Sequence, residues 1–284
     1  MIKRFFACAA SAALLTGCAA YGSQEVASSP ATQAEITRSG AVSSADPRAT
    51  AAGEAILAKG GSATDAAIAV MVALTVVEPQ SSGIGGGGFL VRADGNGREL
   101  LTYDGRETAP RAATGTRFLD DDGERLPRET RVLSGLSVGV PGNIALAAKA
   151  HAAHGKLDWA ELFQPAIVLA DKGFRMNVRL NESLSSRKER AGLTREARAV
   201  FFGADGEPLP VGSLVRNGDL AEALTDIAAT GPEALYDRNA EDLAEYIAEK
   251  TPADGKMVTA DITSYVAKLR DPVCARYRAY KVCG

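Results

Sequence analysis

A chain of 284 residues, 46% hydrophobic and 24% charged, has the size of one large or two small globular domains with ample surface to bury. Its 32 basic against 35 acidic residues give a formal charge of −3, so there is no cationic excess to neutralise phosphates, and a nucleic-acid partner is not expected. Four cysteines, two of them within the first 18 residues, exclude a disulfide-dense scaffold, and a histidine count of two argues against a histidine-rich metal centre.

The N-terminus reads as an address. Lys3 and Arg4 supply a short positive segment, and residues 5–15 form an uncharged, mostly apolar run. That run is too short for the roughly 20 helical residues of a membrane span and suits the apolar core of a signal peptide. Leu15-Thr16-Gly17-Cys18 resembles the lipobox of bacterial lipoproteins, whose cysteine is lipidated and becomes the mature N-terminus. Cleavage at the neighbouring small residues would instead leave Cys18 incidental. The expectation is a lipoprotein-type signal peptide over 1–17, lipidation at Cys18, and a periplasmic protein held to the membrane by that anchor. Residues 18–41, rich in Ala, Ser, Thr and Gln, read as a flexible tether.

From Ser43 the pattern is regular. Asp46-Pro47 predicts an N-cap with proline at the first helical position, and Gly60-Gly61 a stop. Ser62 and Asp65 have capping-box spacing and open a helix over 63–78 that is apolar on nearly every side, hence buried; Pro79 ends it. After a run of glycines, residues 89–93 and 99–103 flank Asp94-Gly95-Asn96-Gly97 and predict a β-hairpin. Helices dominate beyond: 142–154, stopped by Gly155; 158–172, with a capping-box pattern in Asp158 and Glu161 and Pro165 inside; and the amphipathic 217–230 and 240–250. Residues 205–206 and 208–212 read as loops. Residues 274–283 alternate weakly and read as a strand. Fully extended, that strand would hold Cys274 and Cys283 roughly 30 Å apart, whereas a turn near residues 277–280 would let them pair. Two hairpin strands and one terminal strand make a thin sheet beside so much helix, so an α+β fold is expected whose sheet needs strands from outside these residues.

Gly83-Ile84-Gly85-Gly86-Gly87-Gly88 satisfies the dinucleotide spacing G-x-G-x-x-G, but a helix precedes it and a strand follows. A nucleotide site needs the glycines to open a helix, so the run reads instead as a place where chain or ligand packs on bare backbone. Arg106, in Asp104-Gly105-Arg106-Glu107-Thr108-Ala109-Pro110, offers a fork that matches a carboxylate; the plainer reading pairs it with Asp104 or Glu107 on the surface. His151 and His154, three apart on a predicted helix, lack a third ligand and read as a solvated face. No Gly-x-Ser-x-Gly elbow and no cysteine–histidine pair stands out as a nucleophile with its base.

Several of these segments, in this order, resemble the large subunit of γ-glutamyltranspeptidases (glutathione hydrolases): Val42-Ser43-Ser44-Ala45-Asp46-Pro47, Gly60-Gly61-Ser62-Ala63-Thr64-Asp65-Ala66-Ala67, Glu78-Pro79-Gln80-Ser81-Ser82 with the glycine run and Phe89, the segment around Arg106, Gly139-Val140-Pro141-Gly142, and Gln164-Pro165-Ala166. The similarity covers 42–284. It implies an N-terminal-nucleophile hydrolase with an αββα sandwich, made as a precursor that cuts itself into a large and a small subunit. It further implies a threonine at the new N-terminus of the small subunit that attacks the γ-glutamyl amide of glutathione and related compounds, with its own α-amine as base, and no cofactor. Arg106, matching the family's arginine-glutamate motif, is implied to bind the substrate α-carboxylate. The family's large subunit continues through a proline- and serine-rich motif, whereas these residues stop at Gly284. The nucleophilic threonine is therefore expected outside this chain, which by itself is expected to be inactive. Two other readings remain: a relative of glutaryl-type cephalosporin acylases, and a non-catalytic, lipid-anchored carboxylate-binding protein.

Overall fold

The computed structural model describes residues 40–252 and 254–284. The expected signal peptide, Cys18 and nearly all of the tether lie outside the described residues. The elements are α1 (Pro47–Ala58), α2 (Ala63–Val77), β1 (Gly88–Ala93), β2 (Leu100–Gly105), α3 (Arg128–Val132), α4 (Asn143–His154), α5 (Trp159–Lys172), β3 (Phe174–Arg175), α6 (Val178–Ser186), α7 (Lys188–Ala191), α8 (Arg195–Phe201), β4 (Leu214–Val215), α9 (Gly218–Thr230), α10 (Ala240–Glu249), α11 (Thr259–Thr263), β5 (Lys268–Arg270), β6 (Cys274–Tyr277) and β7 (Tyr280–Cys283). Among the described residues no helix is long and apolar enough to cross a membrane.

The apolar helix α2 is the centre of the molecule. Ile68, Val72 and Val76 pack with Ile56 of α1, Leu162 and Phe163 of α5, and Leu224 of α9 in one buried cluster. Ser62 Oγ accepts the Asp65 N–H (3.0 Å) while the Asp65 carboxylate accepts the Ser62 N–H (2.8 Å), closing the box read from the sequence. The same buried carboxylate also accepts the Lys156 N–H at 2.9 Å, so one capping residue clamps the α4–α5 connection onto α2.

Asp46 caps α1 through the Arg48 N–H (2.9 Å), and its buried carboxylate also holds the Arg48 guanidinium (Nε at 2.7 Å) and the Asn177 amide (3.1 Å). Burial acts to raise its pKa, but the bonds and charge of Arg48, with Asn177, outweigh burial and hold it below the ordinary 3.8. Its contribution is thus complete above pH 3.8 and fades as pH falls through the lowered native value. Asp46→Asn, which keeps a capping oxygen but not the charge, is expected to cost about 1–2 kcal/mol near neutrality. Urea unfolding of both proteins across pH should show the difference closing in acid.

β1 and β2 pair antiparallel, Gly88 opposite Gly105 and Ala93 opposite Leu100, and β5 adds to the far edge of β2, giving the order β1-β2-β5. One face of the sheet carries Leu90 and Tyr103 onto Leu146 and Ala150 of α4, so α4 lies between sheet and α2. The other face leaves Phe89 and Val91 exposed.

Three sequence expectations are corrected here. The third strand of the sheet is Lys268–Arg270, not the terminal segment. That segment is itself a hairpin, β6 on β7, turning at Arg278-Ala279 and placing Cys274 opposite Cys283, where they form a disulfide. The Asp158–Glu161 capping box does not form: Asp158 makes no side-chain cap, and the Glu161 carboxylate pairs with Lys59 of the neighbouring helix connection at 3.1 Å.

Among the described strands, β6 and β7 pair only with each other. Cys274→Ser is therefore expected to leave whole-chain stability within about 0.5 kcal/mol while exposing the hairpin to local opening. Faster tryptic cutting at Arg276 and Arg278 with an unchanged unfolding midpoint is the expected result.

Candidate functional site

The site is built where three stretches of backbone meet. α2 ends at Glu78, whose buried carboxylate accepts the Gln80 amide (2.8 Å) and Arg179 Nε (3.0 Å), turning the chain into the glycine run. The Gly86 carbonyl then accepts the N–H groups of Gly142 (2.9 Å) and Asn143 (3.0 Å), and the Asn143 side chain donates to the Gly83 carbonyl (2.9 Å). The start of α4 is thus docked on the glycine run. A Cβ on Gly87 would stand 2.6 Å from the Gly105 carbonyl oxygen, and one on Gly142 only 1.9 Å from that same atom. Chain, rather than ligand, occupies the bare backbone at these two glycines, and only glycine lets the three segments approach this closely. Helix, glycine run and strand follow in the order read from the sequence.

This junction holds Arg106 at the rim of a cleft of about 610 Å³ whose lining includes Ser81, Ser82, Gly86, Gly87 and Asn143. The Arg106 N–H donates to Asp104 Oδ1 (2.9 Å), and its carbonyl accepts the Tyr265 hydroxyl (2.7 Å). Tyr265 stacks on Tyr236 (ring centroids 5.8 Å apart), and the Tyr236 hydroxyl donates to the Pro141 carbonyl (2.9 Å). Burial pushes the acidity of both phenols down, that is, their pKa values up. The Asp104 carboxyl is held below its ordinary range by the Arg106 N–H and then by Arg270, whose Nε lies 2.6 Å away.

The Arg106 side chain is 61% exposed. Its Nη1 meets Glu107 Oε2 at 3.0 Å and the Gly87 carbonyl at 3.4 Å, while Nε and Nη2 have no partner among the described residues. The pairing is the plain one expected for a surface arginine, yet it leaves the Nε–Nη2 edge of the guanidinium fork unpaired at the rim of the cleft. Such an edge can accept a carboxylate through two parallel N–H bonds. Sequence reasoning had offered Glu107 as a partner of Arg106, and that pair forms, whereas Tyr265 and Asn143 were not singled out as parts of the arrangement. Tyr265 lies 159 positions from its partner, and no local spacing signals such a bond.

The histidines are not a solvated pair. His151 Nε2 donates to the Leu157 carbonyl (2.8 Å), and its ring meets the edge of Trp159. His154 Nε2 bonds the Tyr103 hydroxyl (2.8 Å), with burial, then Arg92, lowering its pKa. Each serves a packing contact. Among the described residues no group of three His, Cys, Asp or Glu is placed to hold a metal ion.

The family model described as gamma-glutamyltranspeptidase matches residues 49–284. The chain is 36% identical over 251 residues to a glutathione hydrolase proenzyme of Bacillus subtilis strain 168, covering 88% of this chain and 42% of that protein. It is 36% identical over 246 residues to the glutathione hydrolase proenzyme of Escherichia coli K12, covering 86% and 42%. The chain therefore spans about two fifths of the length of these curated relatives. Among solved structures, it superposes on the γ-glutamyltranspeptidase of Helicobacter pylori with a TM-score of 0.79 at 35% identity, over 87% of this chain and 70% of that one. The α+β architecture is accordingly part of the N-terminal-nucleophile hydrolase sandwich. With the glycine-built junction, the Arg106-Glu107 rim and this agreement in sequence and fold, the chain belongs to the γ-glutamyltranspeptidase family, as a large-subunit part.

Proposed function

We propose that this chain is the large-subunit part of a γ-glutamyltransferase (glutathione hydrolase), which cleaves the γ-glutamyl amide of glutathione and passes the γ-glutamyl group to water, an amino acid or a peptide. The observation that carries the reading is the half-free Arg106 guanidinium at the rim of the glycine-lined cleft in a chain of this family. In this reading Arg106 grips the α-carboxylate of the γ-glutamyl group with its free edge, Glu107 holds the other edge, and Tyr265 and Asp104 pin the backbone between them.

The nucleophile is the threonine at the N-terminus of the small subunit, which the same precursor supplies by cutting itself. Its hydroxyl attacks the γ-carbonyl carbon while its α-amine takes the proton, the amine leaving group departs protonated, and the γ-glutamyl ester is resolved by water or by an acceptor amine. The exposed sheet face bearing Phe89 and Val91 is where that subunit's sheet would pack. The 284 residues alone carry the carboxylate grip without the nucleophile and are expected not to turn over. We further propose export to the periplasm and anchoring through a lipid on Cys18.

The test is expression of the full reading frame, with self-cleavage read by mass spectrometry and turnover measured on γ-glutamyl and glutaryl anilides. Faster cleavage of the γ-glutamyl anilide is expected, since only it carries the α-amino group. Preference for the glutaryl substrate would replace the reading with an acylase. Glutamate binding without any turnover would replace it with a carboxylate-binding protein. Palmitate labelling that disappears in Cys18→Ala tests the anchor.

A further inference from the structure

We propose that a cleft between α6, α7 and the 79–81 connection binds a phosphate monoester group through Arg179, Arg187 and Arg190. The cleft encloses about 590 Å³, and none of the residues lining it belongs to a strand or to the Arg106 segment. It shares Pro79 and Ser81 with the Arg106 cleft, but the groups that hold a ligand here are different ones. The site goes beyond the γ-glutamyl reading and stands independently of it.

Local sequence sets the arginines together. Arg179, Ser183 and Arg187 are spaced four apart along α6 and its C-terminal cap, so they follow one another down one side of the helix. The Arg187 guanidinium reaches back to the Ser183 hydroxyl at 3.2 Å. Leu180 and Leu184 of the same helix are buried in the main core and fix its position. Arg190 comes from α7, and Ala191, Leu184 and Phe201 supply apolar surface to the cleft.

Charge accounting is what points to a ligand. No acid lines the cleft. The buried Glu78 carboxylate answers Arg179 through Nε at 3.0 Å, leaving both Nη groups of Arg179 without a partner among the described residues. Arg187 donates only to the neutral Ser183 hydroxyl, and the Arg190 side chain makes neither a hydrogen bond nor an ion pair among the described residues. Glu129 and Glu189 line a neighbouring groove that also includes Arg187 and Arg190, yet form no ion pair with either.

Two guanidinium charges therefore stand uncompensated in a chain whose formal charge is −3. A single carboxylate would leave one of them unanswered. A phosphate monoester carries about −1.5 to −2 near neutrality and offers three acceptor oxygens, which arginine forks meet two at a time. The apolar surface beside the arginines strengthens such pairs and accepts the organic part of the ester.

The first arm of the test needs no turnover. In the full-length protein, phenylglyoxal modification of Arg190 under limiting reagent is read by mass spectrometry relative to Arg216, which lies outside the cleft, at constant ionic strength. Inorganic phosphate or glycerol 3-phosphate at a few times its Kd is expected to slow Arg190 modification about threefold or more against chloride or acetate. Arg187→Gln should remove most of that protection, and Arg195→Gln should leave it in place. Phosphate protecting no better than chloride makes the arginines a solvated cationic face and overturns the proposal, whatever the anilide assay says of the activity itself.

The second arm identifies the source. Glycerol 3-phosphate is compared with phosphatidylcholine vesicles containing phosphatidic acid, at equal accessible phosphate, on the Cys18→Ala protein so that an anchor does not dock it. Equal or stronger protection by the free ester assigns the site to a soluble phosphomonoester. Stronger protection by the vesicles assigns it to a lipid headgroup, and protection by neither overturns the proposal.

Discussion

Gly142→Ala is expected to destabilise the chain by about 3–5 kcal/mol, at the severe end for a single added methyl group. The new Cβ would lie 1.9 Å from the Gly105 carbonyl oxygen and 2.3 Å from the Tyr265 hydroxyl. The first of these is backbone in a central strand and cannot swing aside. Gly142 cannot retreat either, because its own N–H and that of Asn143 are both bonded to the Gly86 carbonyl. Relief must come from separating α4 from β2, which opens the contact of Tyr103 with Leu146 and Ala150. Equilibrium urea unfolding checks this against Gly95→Ala, where a Cβ meets nothing within 4 Å and a change within about 0.5 kcal/mol is expected. If the two substitutions cost the same, the backbone junction is not what holds the site together.

Arg106→Ala is expected to separate function from stability. In the processed full-length protein it should lower kcat/KM for a γ-glutamyl anilide by at least about 100-fold, or roughly 3 kcal/mol, most of it in KM. The loss is that of a charge-assisted, two-point grip on a carboxylate, which a point charge only partly restores, so Arg106→Lys should recover about tenfold at most. The unfolding free energy should change by less than about 1 kcal/mol, because the Arg106–Glu107 pair lies on an exposed side chain. Wild-type KM in Arg106→Ala would remove Arg106 from substrate binding, and a large stability loss would make it a structural residue.

Much of the frame was legible because its signals are local. The box of Ser62 and Asp65, the cap of Asp46 before Pro47, and the Asp94–Gly97 turn each act within a few residues, and all three form. The continuous apolar run of α2 announced a buried helix for the same reason: its burial does not depend on which neighbour covers it. The terminal hairpin was hidden because its turn, Arg278-Ala279, has none of the usual Asn-Gly chemistry, and Arg278 takes a left-handed φ of 54° that its residue type does not signal. α6, α7 and α8, of nine, four and seven residues, are too short for a periodic pattern to declare itself.

By itself the sequence determined the helices with caps, the first hairpin, the order of motifs that marks the family, and the presence of an arginine beside the glycine run. Those are properties of residues near one another in the chain or of a pattern carried by their types. Tertiary structure decided what the pieces do to each other. It drew the Glu161 carboxylate to Lys59 instead of its own helix end, turned two histidines into packing contacts, and joined Gly86, Gly105 and Gly142 backbone to backbone. It also brought Tyr265 to Arg106 and Lys268 to Asp104 from 159 and 164 positions away, where no spacing rule reaches, because the energy of such contacts exists only once the intervening chain has folded.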